Sequence, residues 1–240
     1  MGQVATQEQV TESNSESEET QSIEIEDNEG LQRAIRAKEA TKKAYLKKGK
    51  SAATKDRIPP GQKLSKRFTV MEIGKRPKID LETWKLEITG YCKPATFTLK
   101  QLKQLGVKTY TIDFHCVTSW SKLDMTFTGI PLKTFIDTLE PQKHWKSILQ
   151  YGADGYTTNV DREDIYRDDA FIAFEYDGKP LPAKHGTIRI IIPHLYGWKG
   201  SKFLTKLEFC KNEKKGFWEQ RGYHKKGRVW EEERFSGNWL

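Results

Sequence analysis

The segment from Tyr110 to Leu132, YTIDFHCVTSWSKLDMTFTGIPL, most constrains what this chain can fold into. Thr109 to Val117 mixes β-branched and aromatic residues, which predicts a strand. The strand ends on His115-Cys116 and gives way to Thr118, Ser119, Trp120 and Ser121, which read as a polar, aromatic loop. Gly129 predicts a turn, and Pro131 suits the opening of a short helix. A cysteine at the point where a strand yields to a loop of donors is placed for chemistry. The strand fixes the sulfur and the loop surrounds it.

The remaining elements are short and strands predominate. Trp84, Leu86 and Ile88 alternate before Gly90, and Ala95 to Thr98 adds another strand. Leu99 to Leu105 predicts a helix stopped by Gly106. Leu132 to Leu139 predicts a second, with Leu132, Phe135, Ile136 and Leu139 on one face. Ser147–Tyr151, Phe171–Tyr176, Ile188–Ile192 and Phe203–Phe209 read as strands. Gly152 to Asn159 (GADGYTTN) reads as a loop, and Arg162 to Tyr166 as a helical turn. This pattern predicts an α+β or mixed α/β domain rather than a regularly repeating βαβ protein. Trp218, Tyr223, Trp230 and Phe235 are spaced too irregularly for a helix and predict an extended tail clamped onto the domain.

Upstream, residues 1–63 read as a leader and 64–240 as the folded unit. Residues 1–27 are rich in Gln, Ser, Thr and Glu and are expected to be disordered. Leu31 to Lys48 predicts a basic helix with a thin apolar face, lying on the surface or seen only in part. Residues 49–65 read as a linker.

Residues 1–30 hold nine acidic side chains and no Lys or Arg, so the net charge of +8 conceals a strongly basic remainder. That surface favours anionic partners. An anionic cofactor or small oxyanion suits it; nucleic acid would need aromatic interleaving that residues 33–66 lack. Three cysteines without short spacing, Cys92, Cys116 and Cys210, argue against a disulfide framework or a structural zinc site and suit a reducing, cytoplasmic compartment. No apolar run approaches the length of a membrane span.

Three groups of residues could carry chemistry. Cys116 packs as a small hydrophobe in the plainest reading; otherwise it is a nucleophile or a metal ligand. Neighbouring strand residues point to opposite faces, so a Cys–His pair would use His185 rather than His115. His185-Gly186 with Arg189 could clamp an oxyanion, or be an ordinary turn. Lys199, Gly200, Ser201 and Lys202 could form a phosphate nest, or a solvated basic loop. Tyr156 could offer its hydroxyl to a substrate, or simply pack. One soft thiolate and two phosphate-type sites together suit a phosphorylated cofactor carrying a metal that prefers sulfur.

The series DFHCVTSWS at 113, TGIPL at 128, RFTVMEIG at 67 and WKLEITG at 84 resembles the sulfite-oxidase-type molybdopterin-binding domain. DGYTTNV at 154, DGKPLPAKHG at 177, IIIPHLYGWKGSK at 190 and FWEQRGYH at 217 extend the resemblance. The nearest likeness is to the small haem-free prokaryotic members of that superfamily. It implies their fold of mixed sheets and short helices. It implies a molybdopterin whose dithiolene sulfurs bind molybdenum, no haem, and Cys116 as the protein's metal ligand. It also places Phe68, Met71, Glu72, His185, Arg189, Gly200, Ser201 and Lys202 at the cofactor and Tyr156 near the active-site tyrosine. Trp120 and His115 would share the pocket. The implied activity is two-electron oxygen-atom transfer on a small substrate, sulfite, a sulfoxide or similar, with an external electron donor or acceptor. Two departures stand out. Sulfite-oxidising relatives place arginines soon after the cysteine, and the methionine-sulfoxide-reducing branch has a glutamate two residues after it. Here Thr118, Ser119, Trp120 and Ser121 follow. The rival readings are a metal-free Cys–His hydrolase and a non-enzymatic polyanion-binding protein.

Overall fold

The computed structural model describes residues 29–48 and 56–237. The acidic stretch 1–27 and the 49–55 part of the expected linker lie outside the described residues. Two mixed sheets carry the chain. The first contains β1 (Lys63–Leu64), β4 (Lys108–Cys116), β5 (Trp120–Pro131), β8 (Phe171–Tyr176), β9 (Lys179–Pro180) and β10 (Arg189–Ile191). The second runs β3 (Ala95–Thr98), β2 (Lys85–Gly90), β11 (Leu204–Cys210), β6 (Ser147–Gly152) and β7 (Thr157–Asp161). Each sheet has one parallel pair, β1 with β5 and β2 with β11, among antiparallel neighbours. The helices are α1 (Glu29–Lys48), α2 (Leu99–Gln104), α3 (Leu132–Leu139) and α4 (Arg162–Ile165). The fold is α+β.

Period-two alternation sorts the side chains. Ile172 and Ile190 face a core shared with Leu86, Ile88, Leu207 and Phe209 of the second sheet and with Phe135 and Ile136 of α3. Their neighbours Phe171, Ala173 and Ile191 face the other side of the first sheet, against Ile112, Met125 and Phe127. The apolar stripe of α3 is the one its spacing predicts: Leu132, Phe135, Ile136 and Leu139 are all buried. Thr98 and Gln101 close a capping box that starts α2.

Four local expectations need correction. Gly129 makes no turn; it lies inside β5, at a register shift against β8. A Cβ there would sit 2.5 Å from the Ile172 carbonyl oxygen, so the glycine permits close backbone approach. Trp120 and Ser121 belong to β5, so the expected loop after Cys116 is a tight hairpin turn with Ser119 at φ 69°. The loop 152–159 is shorter than expected, because Thr157–Asp161 pairs with β6. Its Thr and Val favour a strand despite the intervening Asn. Trp230 is exposed rather than clamped, whereas Trp218, Tyr223 and Phe235 are buried.

Ordered packing also begins upstream of Leu64. Ile58 and Gln62 are buried, and Arg57 bridges Asp113 and Asp124. The basic helix exists as α1, but it is not a free surface helix. Leu31 and Ala34 are buried, with Ile35 and Tyr45 half-buried, in one aromatic cluster with Trp198, Trp218, Tyr223 and Phe235. Tyr45 meets the Phe235 ring at 5.6 Å. Burying such a leucine contributes ~1.5–3 kcal/mol, so the docking of α1 is substantial.

Candidate active site

Cys116 is the last residue of β4 and pairs with Trp120 across the hairpin. Four hydrogen bonds hold the turn, one of them from Lys63 N to the Ser119 carbonyl at 3.0 Å. Ser119 N donates to the Cys116 carbonyl at 3.0 Å, Gln62 Nε2 to the same carbonyl at 3.1 Å, and Arg234 Nη1 to the Val117 carbonyl at 2.6 Å. Arg234 is 1% exposed and also reaches the Pro60 carbonyl, so it ties leader, hairpin and tail together. Cys116 itself is half-buried, and its Sγ lies 3.1 Å from Thr118 Oγ1.

Cys116 lines a cavity open to solvent. Phe68, Met71, Trp120, Tyr156, His185, Arg189, Gly200 and Lys202 line it as well, so nine sequence-selected positions converge on one space. Residues separated by more than a hundred positions meet there because the end of β4, the coil after Leu64, the turn before β10 and the loop before β11 all contribute to its lining.

Four expected residues do not line it. Glu72 forms a bidentate pair with Arg76, at 2.6 and 3.1 Å. Ser201 is fully buried; its N–H donates to Gln150 Oε1 at 2.8 Å and its Oγ to the Lys202 carbonyl at 3.0 Å. His115 points to the opposite face of β4, where Nδ1 lies 2.8 Å from Ser121 Oγ. Lys199, offered by the sequence as a phosphate donor, turns into the interior and pairs with Glu219 at 2.6 Å. Tyr156 is present but its proton is committed: the hydroxyl donates to the Trp198 carbonyl at 2.5 Å. Burial raises its pKa well above the ordinary value, so it stays a phenol. Gly200 has a structural reason of its own, since a Cβ would meet the Ile190 carbonyl oxygen at 2.1 Å.

The electrostatics of the cavity are one-sided. Burial holds Arg189 down to about 10 and Lys202 down to about 8. Burial, then Arg189 and other nearby cations, holds His185 down to about 4. Among the described residues the single carboxylate on the wall is Asp154, raised by burial. Arg189 Nη1 donates to the His185 carbonyl at 3.0 Å, while its Nε is buried with no partner among the described residues. The indole N–H groups of Trp120 and Trp198, also on the wall, are likewise unpartnered. Buried donors left without a partner are uncommon in a folded protein, and three of them belong to residues that line this cavity. The His185 ring stacks on Phe68 with centroids 4.0 Å apart and planes 5° apart. This donor set fits an acceptor-rich, anionic, planar group, and Cys116 adds a soft sulfur to it.

The buried histidines give a pH prediction. His185 and His115 both titrate near 4 in the fold, the latter through burial, against an ordinary 6.5. The unfolded chain therefore takes up protons first as pH falls. Stability should decline from about pH 6.5 to about pH 4 and lose nothing further from these groups below that. Thermal midpoints across the window check it, and His185→Asn should shallow the slope.

Sequence reasoning missed Lys38 and Trp218, both on the cavity wall. The signal for Lys38 was available: it continues the helical stripe of Leu31, Ala34 and Tyr45 at a position where an apolar residue is due.

Comparison with known proteins places these features in context. Residues 73–218 match the family model described as oxidoreductase molybdopterin binding domain. The chain is 30% identical over 195 residues to the uncharacterized oxidoreductase YuiH of Bacillus subtilis, covering 80% of this chain and 98% of that protein. It is 26% identical over 163 residues to the protein-methionine-sulfoxide reductase catalytic subunit MsrP of Campylobacter jejuni. That match covers 58% of this chain and 52% of the relative, so the chain spans about half the relative's length. The sulfane dehydrogenase SoxCD of Paracoccus pantotrophus shares the fold, with a TM-score of 0.56 at 19% identity over 67% of this chain and 47% of that one.

Proposed function

Because the chain belongs to the oxidoreductase molybdopterin binding domain family and is an enzyme of that kind, we propose that its cavity holds a molybdenum-bearing molybdopterin and serves two-electron oxygen-atom transfer on a small substrate. The observation that carries this reading is the convergence of the Cys116 sulfur with Arg189, Lys202 and His185 on one cavity wall. When bound, the cofactor would supply the redox chemistry.

The residues have distinct parts in this reading. Cys116 would ligate the metal as a soft thiolate, and Thr118 Oγ1 orients its sulfur. Arg189 and Lys202 would neutralise the pterin's phosphate. Lys202 is already aimed, its Nζ donating to the Met71 carbonyl at 2.6 Å. The stacked rings of Phe68 and His185 offer a flat surface, and the N–H groups of Trp120 and Trp198 would find acceptors. Tyr156, its proton held by the Trp198 carbonyl, presents only oxygen lone pairs and so orients rather than donates. Phe114, Trp120 and Trp218 limit the entry of water. Glu72 and Ser201 would act from behind, through Arg76 and through Gln150.

An external electron donor or acceptor completes the cycle, and a reducing, cytoplasmic setting is part of the same reading. Likeness to methionine-sulfoxide reductases supports a sulfoxide as one substrate class. The test is an assay of loaded full-length protein in both directions. Sulfite would be offered with ferricyanide as acceptor, and methionine sulfoxide with a reduced viologen as donor. Turnover in either direction supports oxygen-atom transfer; a fully loaded protein inert to both classes would sink it.

A further inference from the structure

One buried charge has no part in the roles above. Helix α1 lies outside the residues matched by the family model, yet it closes one wall of the cavity with Ala34 and Lys38. Lys38 is 5% exposed. Its Nζ lies 3.5 Å from the Trp218 ring centroid and 4.8 Å from that of Tyr223. Among the described residues the ammonium has neither a hydrogen bond nor a carboxylate within ion-pair distance. Lys202 and Arg189, by contrast, already donate to carbonyls.

An ammonium buried without an anion is expensive. Burial holds Lys38 down to about 7, and Cys116 is the first of the groups acting in the opposite direction. A helix that needed only to dock would carry leucine or methionine here, because the rest of its stripe is apolar. The two ring faces hold the ammonium in place while leaving stronger acceptors to come from elsewhere.

We infer that Lys38 is a substrate-binding residue, an ammonium carried into the cavity on α1 to receive a negatively charged oxygen of a small oxyanion held beside Cys116. The contact is a charge-assisted hydrogen bond, with no covalent step. The inference rests on the proposed function for the reaction that the oxyanion undergoes, but not for its charge. It supplies a cation from outside the hairpin, where Thr118, Ser119, Trp120 and Ser121 provide none. The same ammonium could instead meet the phosphate of a cofactor, so the test separates the two sources.

Full-length wild type, Lys38→Met and Lys38→Arg, made in a host that synthesises molybdopterin, are titrated calorimetrically with inorganic sulfate at two salt concentrations. Metal, pterin and melting temperature are measured on the same samples. Wild type should bind sulfate saturably, Lys38→Met should bind at least ~10-fold more weakly with a shallower salt dependence, and Lys38→Arg should recover most of the loss. Pterin content should be equal in all three. Equal sulfate affinity in wild type and Lys38→Met overturns the inference, as does absence of saturable binding in wild type. Loss of pterin from Lys38→Met assigns the charge to the cofactor and also overturns it. Lys38→Gln gives the same comparison should Lys38→Met melt early. A wild type lacking molybdenum would count against the proposed function alone, because the sulfate titration on that protein still decides the part played by Lys38.

Discussion

Cys116→Ser is expected to fold normally and to lose molybdenum-dependent turnover down to background. The fold should survive because Cys116 is only half-buried and a serine hydroxyl can keep the contact with Thr118 Oγ1. Turnover should not, because an alcohol is a harder, more weakly ionised ligand than a thiolate. Replacing groups that merely support a metal ligand already costs ~10–100-fold, so removing the ligand itself exceeds that range. Steady-state assays on protein of matched pterin content measure it. The control is Cys210→Ala: Cys210 lies at the end of β11, outside the cavity wall, and its loss should leave turnover unchanged. Full activity in Cys116→Ser would remove the sulfur from the mechanism.

The largest stability effect is expected at Glu219. Lys199 and Glu219 are 1% and 2% exposed and pair at 2.6 Å. The Lys199 ammonium also donates to Asn159 Oδ1 at 2.9 Å and to the Lys225 carbonyl at 2.6 Å, and Thr158 Oγ1 donates to Glu219 at 2.8 Å. The pair therefore joins β7, the turn before β11 and the tail. Glu219→Ala strands a buried ammonium and should cost ~3–5 kcal/mol. For a protein of this size that is a fall of roughly 10 °C in the thermal midpoint, readable by calorimetry. The double change Lys199→Met, Glu219→Leu should recover most of it, because an apolar pair needs no solvation. A midpoint unmoved by Glu219→Ala would mean that water reaches the pair.

Much of the fold was legible because its elements obey simple periodicities. β2 alternates, β8 is a short continuous apolar run and α3 has a clear helical stripe, and each formed where its residues predict. Position 129 misled because glycine serves equally in a turn and at a close strand crossing; only the neighbouring Ile172 carbonyl distinguishes them. Within the cavity, Cys116, His185 and Arg189 could be found by residue type and local context. Lys199 and Lys202 could not be told apart, since three positions along a loop reverse the direction of a side chain, and one enters the interior while the other faces the cavity. For Lys38 the helical stripe marks an inward position but not a part in the site. Its role depends on where α1 docks, and the tail aromatics that receive the helix lie nearly two hundred residues away.

The central claim concerns what the cavity beside Cys116 holds. The most direct measurement is metal analysis of the full-length protein made in a host able to synthesise molybdopterin, with fluorescence of the oxidised pterin read from the same sample. About one molybdenum and one pterin per chain is the predicted result, both falling when Arg189 and Lys202 are replaced together by methionine. A folded protein from that host carrying neither molybdenum nor pterin would contradict it.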